Sequence, residues 1–247
     1  MELMEISKKD FNDFVATLLQ GTDEVIGVVK KGKKFAFDTL DDVSELCLDY
    51  DETILPPKKY FLPVQETLLT YKTKDAASYK EVMDDTSRVI IGVHPGDLAA
   101  IALLDKAYSE GEKDNHYLKR RENSTIIGLY PTKPYEYRFT NSVLDNGDAY
   151  KAADCFLVEL DSKTYGLEIV TQKGKKLAEK LNTQEVKEGL AAKILSKFKP
   201  SYGNEDLKKK IEEAKTKAKD EVSMPMKGEE LAKFLKGKDR KSTRLNS

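Results

Sequence analysis

The chain has 247 residues and a formal net charge of -1, with 39% hydrophobic and 34% charged residues. This length allows one large domain or a domain with an appendage, and a near-neutral charge gives no overall attraction to nucleic acid or an anionic membrane. The sequence has no apolar run near the roughly 20 residues that span a bilayer, and its charged N-terminus lacks a secretion signal, so a cytoplasmic protein is expected.

A helix and a β-hairpin are the first predicted elements. Apolar residues recur at steps of three and four between positions 6 and 19, which predicts an amphipathic helix that ends before Gly21. Two short strands at 25–29 and 34–37 follow, joined by a turn at 31–33. This hairpin is expected to open a sheet.

A proline-rich segment at 54–63 comes next. Three prolines within eight residues are incompatible with a regular helix or a central strand. We expect this segment to run extended along the surface, with Tyr60, Phe61 and Leu62 as anchors. The following residues, 65–71, are predicted to form a short strand or a turn of helix.

Two buried strands in the middle of the chain predict an α/β unit. The β-branched run 88–93 precedes a loop at 94–97 and a helix at 98–108, with Asp97 as the expected N-cap. A similar run at 124–129 precedes a loop at 130–142. Because α/β folds place ligands at strand carboxyl ends, we expect these two loops to face each other across one crevice.

The remaining chain predicts one more hairpin and then a series of helices. The predicted hairpin pairs strands at 155–160 and 165–171, and the predicted helices cover 174–181, 183–198, 205–221 and 228–235. We therefore expect an α+β fold with an α/β-like core, a mixed sheet and flanking helices, followed by a helical linker. The expected divisions are a core domain at 1–200, a charged helical linker at 201–239 and a disordered or artefactual tail at 240–247.

The two cysteines, Cys47 and Cys155, lie far apart in the sequence. Iron–sulfur clusters usually take four thiolates, and structural zinc takes four Cys or His ligands. A zinc site made of both cysteines with His94 and His116 would lack any close ligand spacing. The sequence favours both cysteines as small buried hydrophobes.

Several segments, in the same order, resemble a known family. They are 55–63, 65–68, 91–101, Tyr117 with 120–123, and 126–129. They are similar to the β subunits of cytoplasmic nickel–iron hydrogenases of the sulfhydrogenase type and to the A subunit of anaerobic sulfite reductase. The resemblance extends from about residue 5 to about residue 239. It implies an iron–sulfur electron-transfer subunit of the 4Fe-4S type.

The resemblance also implies cluster ligands that this chain does not have. In the family the two strand-end loops carry cysteines, and the chain continues into a ferredoxin-like domain with further 4Fe-4S clusters. The matching positions here are Gly96, Pro131, Tyr135, Arg138 and Thr140, and none is a cysteine. We therefore expect no metal ligand, no catalytic residue and no cofactor held by the residues present, and a chain that ends near the start of the ferredoxin-like domain.

The function implied is that of a docking or scaffold part rather than an enzyme in its own right. Its partners would be a catalytic subunit of the nickel–iron or sulfite-reductase type and a flavoprotein subunit. The proline-rich segment, with Lys58 and Lys59, is a candidate docking strip, although the sequence favours a plain surface connector.

Two alternatives use other parts of the sequence. The crevice could form a small-molecule or reductase site, with His94, Asp97, Tyr130, Tyr135 and Arg138 as candidates for acid–base work and anion binding. The same residues are also explained as loop residues and a helix cap, and no nucleotide-binding or hydrolase motif accompanies them. Nucleic-acid binding by the lysine-rich helices at 205–238 is disfavoured, because acidic residues alternate with the lysines.

Overall fold

The computed structural model describes residues 2–73, 75–130 and 152–183, together with 209, 212, 213 and 216. In these ranges the strands are β1 (Glu2–Ser7), β2 (Glu24–Lys31), β3 (Lys34–Thr39), β4 (Leu69–Lys72), β5 (Asp75–Glu81), β6 (Arg88–Val93), β7 (Ser124–Tyr130), β8 (Cys155–Glu159) and β9 (Thr164–Ile169). The α-helices are α1 (Lys8–Leu19), α2 (Pro95–Ser109), α3 (Asn115–Glu122) and α4 (Gln172–Thr183). Two short 3-10 helices lie at Val43–Glu45 and Pro57–Tyr60.

Seven of the strands form one mixed sheet, in the order β1-β9-β8-β7-β6-β2-β3. Its centre is parallel, because β2, β6, β7 and β8 run in the same direction. The strands β3, β9 and β1 add to the sheet antiparallel. Strands β4 and β5 form a separate two-stranded sheet. The expected α+β fold with a mixed sheet and flanking helices is confirmed.

Helices pack on both faces of the sheet, as buried parallel strands require. On one face, a Cβ added to Gly128 would lie 2.5 Å from the Phe156 ring and 2.9 Å from Leu98 of α2. On the other face, a Cβ on Gly174 of α4 would lie 2.7 Å from the Cys155 sulfur. Both glycines therefore permit a close approach that a side chain would prevent.

The central strands agree with the sequence prediction, and the chain's beginning does not. β6 covers the predicted 88–93, and the hairpins β2–β3 and β8–β9 are present. The predicted helix at 6–19, however, begins at Lys8. Ser7 forms its N-cap, accepting a hydrogen bond from the Asp10 amide at 3.0 Å. The residues before it pair with β9 as strand β1, which the sequence analysis did not predict.

The proline-rich segment was expected to be extended, but part of it forms a helical turn. It contains the 3-10 turn Pro57–Tyr60, since a proline at the start of a helical turn needs no amide donor. The expected anchors are confirmed: Phe61 is fully buried, and Tyr60 and Leu62 pack against the core.

The predicted helices at 183–198, 205–221 and 228–235 lie outside the described residues, apart from the isolated positions given above. The division into a core, a linker and a tail therefore stays a prediction. The described helices include none long and apolar enough to cross a membrane.

Candidate functional site

The two strand ends expected to frame a crevice lie at the same edge of the sheet. β6 and β7 are parallel neighbours, with Arg88 beside Ser124 and Val93 beside Gly128. The residue after β6 and the last residue of β7 are therefore brought to one edge, as the strand–helix–strand pattern predicted.

His94 follows β6 directly and is almost fully buried, with 3% of its surface exposed. Its ring stacks on the Tyr50 ring, with 4.0 Å between centroids and 11° between planes. The Tyr50 hydroxyl donates a hydrogen bond to the Gly92 carbonyl at 2.7 Å. Tyr50 therefore covers the imidazole, and His94 is a packed core residue.

Gly92 produces the geometry of this strand end. Its φ of 91° lies in a region that L side chains rarely adopt, and the register between Ile91 and Val93 shifts by one residue. This is a β-bulge, which bends a strand and re-aims the side chains after it. The Gly92 carbonyl is the one that receives the Tyr50 hydroxyl.

Asp97 does not cap α2, contrary to expectation. The helix begins at Pro95, so His94 occupies the N-cap position and Asp97 lies within the first turn together with Gly96. Proline at the first helical position explains the difference, because its fixed φ suits a helix start and its missing amide needs no partner. An acidic side chain in this turn still interacts favourably with the helix dipole.

Tyr130 is buried rather than open to a crevice. It ends β7 with 6% exposure, and its ring lies 4.9 Å from the Phe156 ring. The other candidates on the second loop, Tyr135 and Arg138, lie outside the described residues. So do the family-cysteine positions Pro131 and Thr140. The proposed crevice is therefore described on one side only.

The two cysteines occupy different elements. Cys155 begins β8 and is 1% exposed, and burial, with a further contribution from the Asp154 charge, raises the pKa of its thiol to about 12. Cys47 is partly exposed, and its thiol lies 3.5 Å from the Asp49 carbonyl. Within the described ranges, no three His, Cys, Asp or Glu side chains come together in a way that could hold a metal ion.

A second region, which sequence reasoning did not assemble, joins the proline-rich segment to α3. The Arg120 guanidinium, 3% exposed, donates to the Phe61 carbonyl at 2.8 Å and also binds the Glu66 carboxylate. Tyr117 packs edge-on against Phe61 at 6.3 Å. Three segments that carry the family resemblance are therefore in direct contact. In the sequence, only their common resemblance to one family indicated that they belong to one region.

The docking-strip lysines differ in their surroundings. Lys59 turns inward, donating to the Phe37 carbonyl at 2.7 Å and lying 4.9 Å from the Tyr60 ring centroid. Lys58 is exposed. Only Lys58 of the pair is thus placed to meet another molecule.

Comparison with known proteins gives one informative relationship. The chain is 33% identical over 160 residues to sulfhydrogenase 2 subunit beta of Pyrococcus furiosus. The match covers 65% of this chain and 46% of that protein, so the chain spans about half the length of the curated relative. No family model matches. The relationship is with a hydrogenase β subunit.

Proposed function

We propose that this chain is the docking or scaffold part of an iron–sulfur electron-transfer subunit in a cytoplasmic, hydrogenase-like redox complex. The observation that carries the proposal is the 33% identity over 160 residues to a sulfhydrogenase β subunit. Its partners would be a catalytic subunit of the nickel–iron or sulfite-reductase type and a flavoprotein subunit. The chain itself would be non-catalytic.

The residues present do not fit a 4Fe-4S cluster. Such clusters are held by several thiolates gathered at one place, and this sequence has two cysteines. One of them, Cys155, is buried at the start of β8 with its thiol pKa raised, which opposes the thiolate form that iron binds. Electron transfer through this subunit would therefore need clusters supplied by residues outside this sequence.

A small-molecule site at the strand edge has less support. His94 would be its acid–base group, yet it lies under Tyr50 with 3% of its surface exposed. Tyr130 is also buried. Both side chains are almost fully buried, so of the described residues at this edge a substrate would meet the first turn of α2 rather than these two groups.

Co-expression with the catalytic subunit of a nickel–iron hydrogenase of the sulfhydrogenase type tests the proposal. We expect the two proteins to purify together through affinity and size-exclusion steps. We also expect the chain alone to remain colourless after anaerobic reconstitution with iron and sulfide. It should lack the broad absorbance at about 400 nm that iron–sulfur proteins show. Failure to form the complex would refute the docking role, and stoichiometric cluster binding by the chain alone would refute the scaffold assignment.

A further inference from the structure

One long segment of the chain lies against the body of the protein without a buried side chain. Phe61 and Val89 are both buried in the core, whereas none of the described side chains between them is buried. Residues 64–73 are all exposed. We refer to residues 64–86 as the flap. It contains the strands β4 and β5, and the buried residues on either side fix its two ends.

Apolar packing contributes little to the position of the flap. Six of its large apolar side chains are exposed: Val64, Leu68, Leu69, Tyr71, Tyr79 and Val82. Strands β4 and β5 pair with each other and not with the seven-stranded sheet. An isolated two-stranded hairpin is only marginally stable in water, so this pairing depends on contacts between the flap and the body.

Three carboxylates of the flap bind one side of helix α3. The contacts are Glu66 with Arg120, Glu81 with His116 at 3.4 Å, and Asp85 with Lys119 at 3.3 Å. Positions 116, 119 and 120 are separated by three and four residues, so their side chains are neighbours on the helix surface. The flap is therefore held to α3 by charged and polar groups.

The other side of α3 is held by the body itself. Tyr117 is fully buried and packs against Phe61, and Arg121 pairs with Asp105 of α2 at 3.0 Å. Arg120 also donates to the Phe61 carbonyl, which lies outside the flap. The helix can therefore keep its place when the flap moves away from it.

The contacts that hold the flap are of a kind that salt weakens. Glu81 and Asp85 are exposed, and exposed ion pairs are individually weak. The distance over which such charges act falls from about 30 Å at 0.01 M ionic strength to about 3 Å at 1 M. The pair of Glu66 with the buried Arg120 is screened less, so it is the strongest of the three.

We propose that the flap is a movable cover on α3, held closed by its own carboxylates and released as the ionic strength rises. Opening separates the cations of α3 from the carboxylates of the flap. The helix then presents a cationic face, made by Lys119 and Arg120 and by His116 when its imidazole is protonated, which is neutralised in the closed form. The inference does not depend on the docking function, because it uses contacts within this chain alone.

Hydrogen exchange of the full chain, followed by mass spectrometry in about 0.01 M and about 1 M sodium chloride, tests the proposal. A hairpin released from α3 loses its pairing, so the amides of 64–86 should exchange at least about threefold faster at the higher salt concentration. Peptides from β6 and β7 should exchange equally in both. An unstructured reference peptide corrects for the effect of salt on intrinsic exchange.

A charge exchange between Asp85 and Lys119 tests the contact itself. Asp85→Lys places two positive charges together and should speed exchange of the flap at low salt at least about threefold. Lys119→Glu/Asp85→Lys restores an ion pair with the charges reversed and should return the rate to that of the wild type. Lys31→Gln, which removes the exposed pair of Lys31 with Asp38 in the β2–β3 hairpin, is the matched control and should leave the flap unchanged.

None of the substituted positions is buried, and circular dichroism melts check that every variant is folded. Exchange of the flap that is independent of salt would overturn the proposal. So would an equal acceleration in β6 and β7, because the whole protein would then be opening. If Lys119→Glu/Asp85→Lys exchanges as fast as Asp85→Lys, the charges of this pair do not hold the flap closed.

Discussion

Asp154 connects three parts of the sheet through one buried residue. Its carboxylate accepts from the Ile126 amide at 2.9 Å and from the Thr171 hydroxyl, and its carbonyl accepts from the Val170 amide at 2.9 Å. The residue is 5% exposed. A buried donor that loses its acceptor leaves its full desolvation cost uncompensated, so this carboxylate is important for stability.

Replacing Asp154 with alanine should lower the free energy of unfolding by about 2–3 kcal/mol, because the Ile126 amide loses its acceptor in the core. Urea unfolding followed by circular dichroism measures the change. Asp154→Asn keeps one acceptor oxygen and should lose less. A difference below about 0.5 kcal/mol between wild type and Asp154→Ala would contradict this assignment.

The two thiols should differ in reactivity. Burial raises the pKa of Cys155 to about 12 and removes it from solvent, whereas Cys47 is partly exposed. Since the thiolate is the reactive form, an aromatic disulfide reagent at neutral pH should modify Cys47 alone in the native protein. Both thiols should react in denaturant, and Cys47→Ser should abolish the native reaction. Rapid native labelling in Cys47→Ser would show that Cys155 is accessible.

Single residues were predicted less well than the elements that contain them. Asp97 has the side chain of a good N-cap, and the sequence alone favoured it. The helix begins at Pro95, three residues before the predicted start at 98, so the cap position falls on His94. Strand β1 was missed for a similar reason. The spacing of Ile6 suits a helix face, but this residue pairs with β9 instead.

At the level of elements, the position of α4 depends on a glycine. A Cβ on Gly174 would lie 2.1 Å from the Asp154 carbonyl oxygen, a backbone atom that cannot rotate away. Gly174→Ala should therefore destabilise the protein by at least about 2 kcal/mol, since overpacking forces the backbone to shift. Thermal melting measures the loss, and Lys176→Ala on the exposed side of α4 is the control. Wild-type stability in Gly174→Ala would show that α4 packs differently.

The strands were predictable where their burial is uniform. β6 and β7 are continuous apolar runs because helices cover both their faces. β5 was missed because its sequence has no alternation of apolar and polar residues, and α3 because its mean composition is strongly polar. Such elements are stabilised by tertiary contacts, among them the ion pair of Arg120 with Glu66. No local sequence pattern predicts these contacts.

Across the whole molecule, protection from hydrogen exchange should follow burial. The amides of β6 and β7 lie in the centre of the seven-stranded sheet, whereas β4 is exposed along its length. Exchange monitored by mass spectrometry should be slowest in 88–93 and 124–130 and fastest, among the strands, in 69–81, because local opening is easiest where few apolar groups are buried. Protection of the hairpin equal to that of β6 would contradict this order.

The sequence could predict the parts of the candidate site that regular strand pairing determines, but not the parts that depend on contacts between distant segments. The meeting of positions 94 and 130 at one sheet edge was predictable, because parallel strands bring their carboxyl ends together. The stacking of Tyr50 on His94 was not, since the two residues are far apart in the sequence and carry no local signal of that contact. The exposure of Tyr71 and Tyr79 was equally hidden, because an apolar residue in a sequence does not reveal whether anything covers it.

The extra residue at Gly92 also sets how this strand end tolerates changes in length. Deleting Gly92 would make the pairing between β6 and β7 regular, because Ile91 already lies beside Ile127 and Val93 beside Gly128. His94 would stay on its present face of the sheet, but the Gly92 carbonyl that accepts from the Tyr50 hydroxyl, and the local bend before α2, would be lost. Homologous chains that lack this one residue should therefore differ in how the strand-to-helix junction is built, even where every flanking residue is the same.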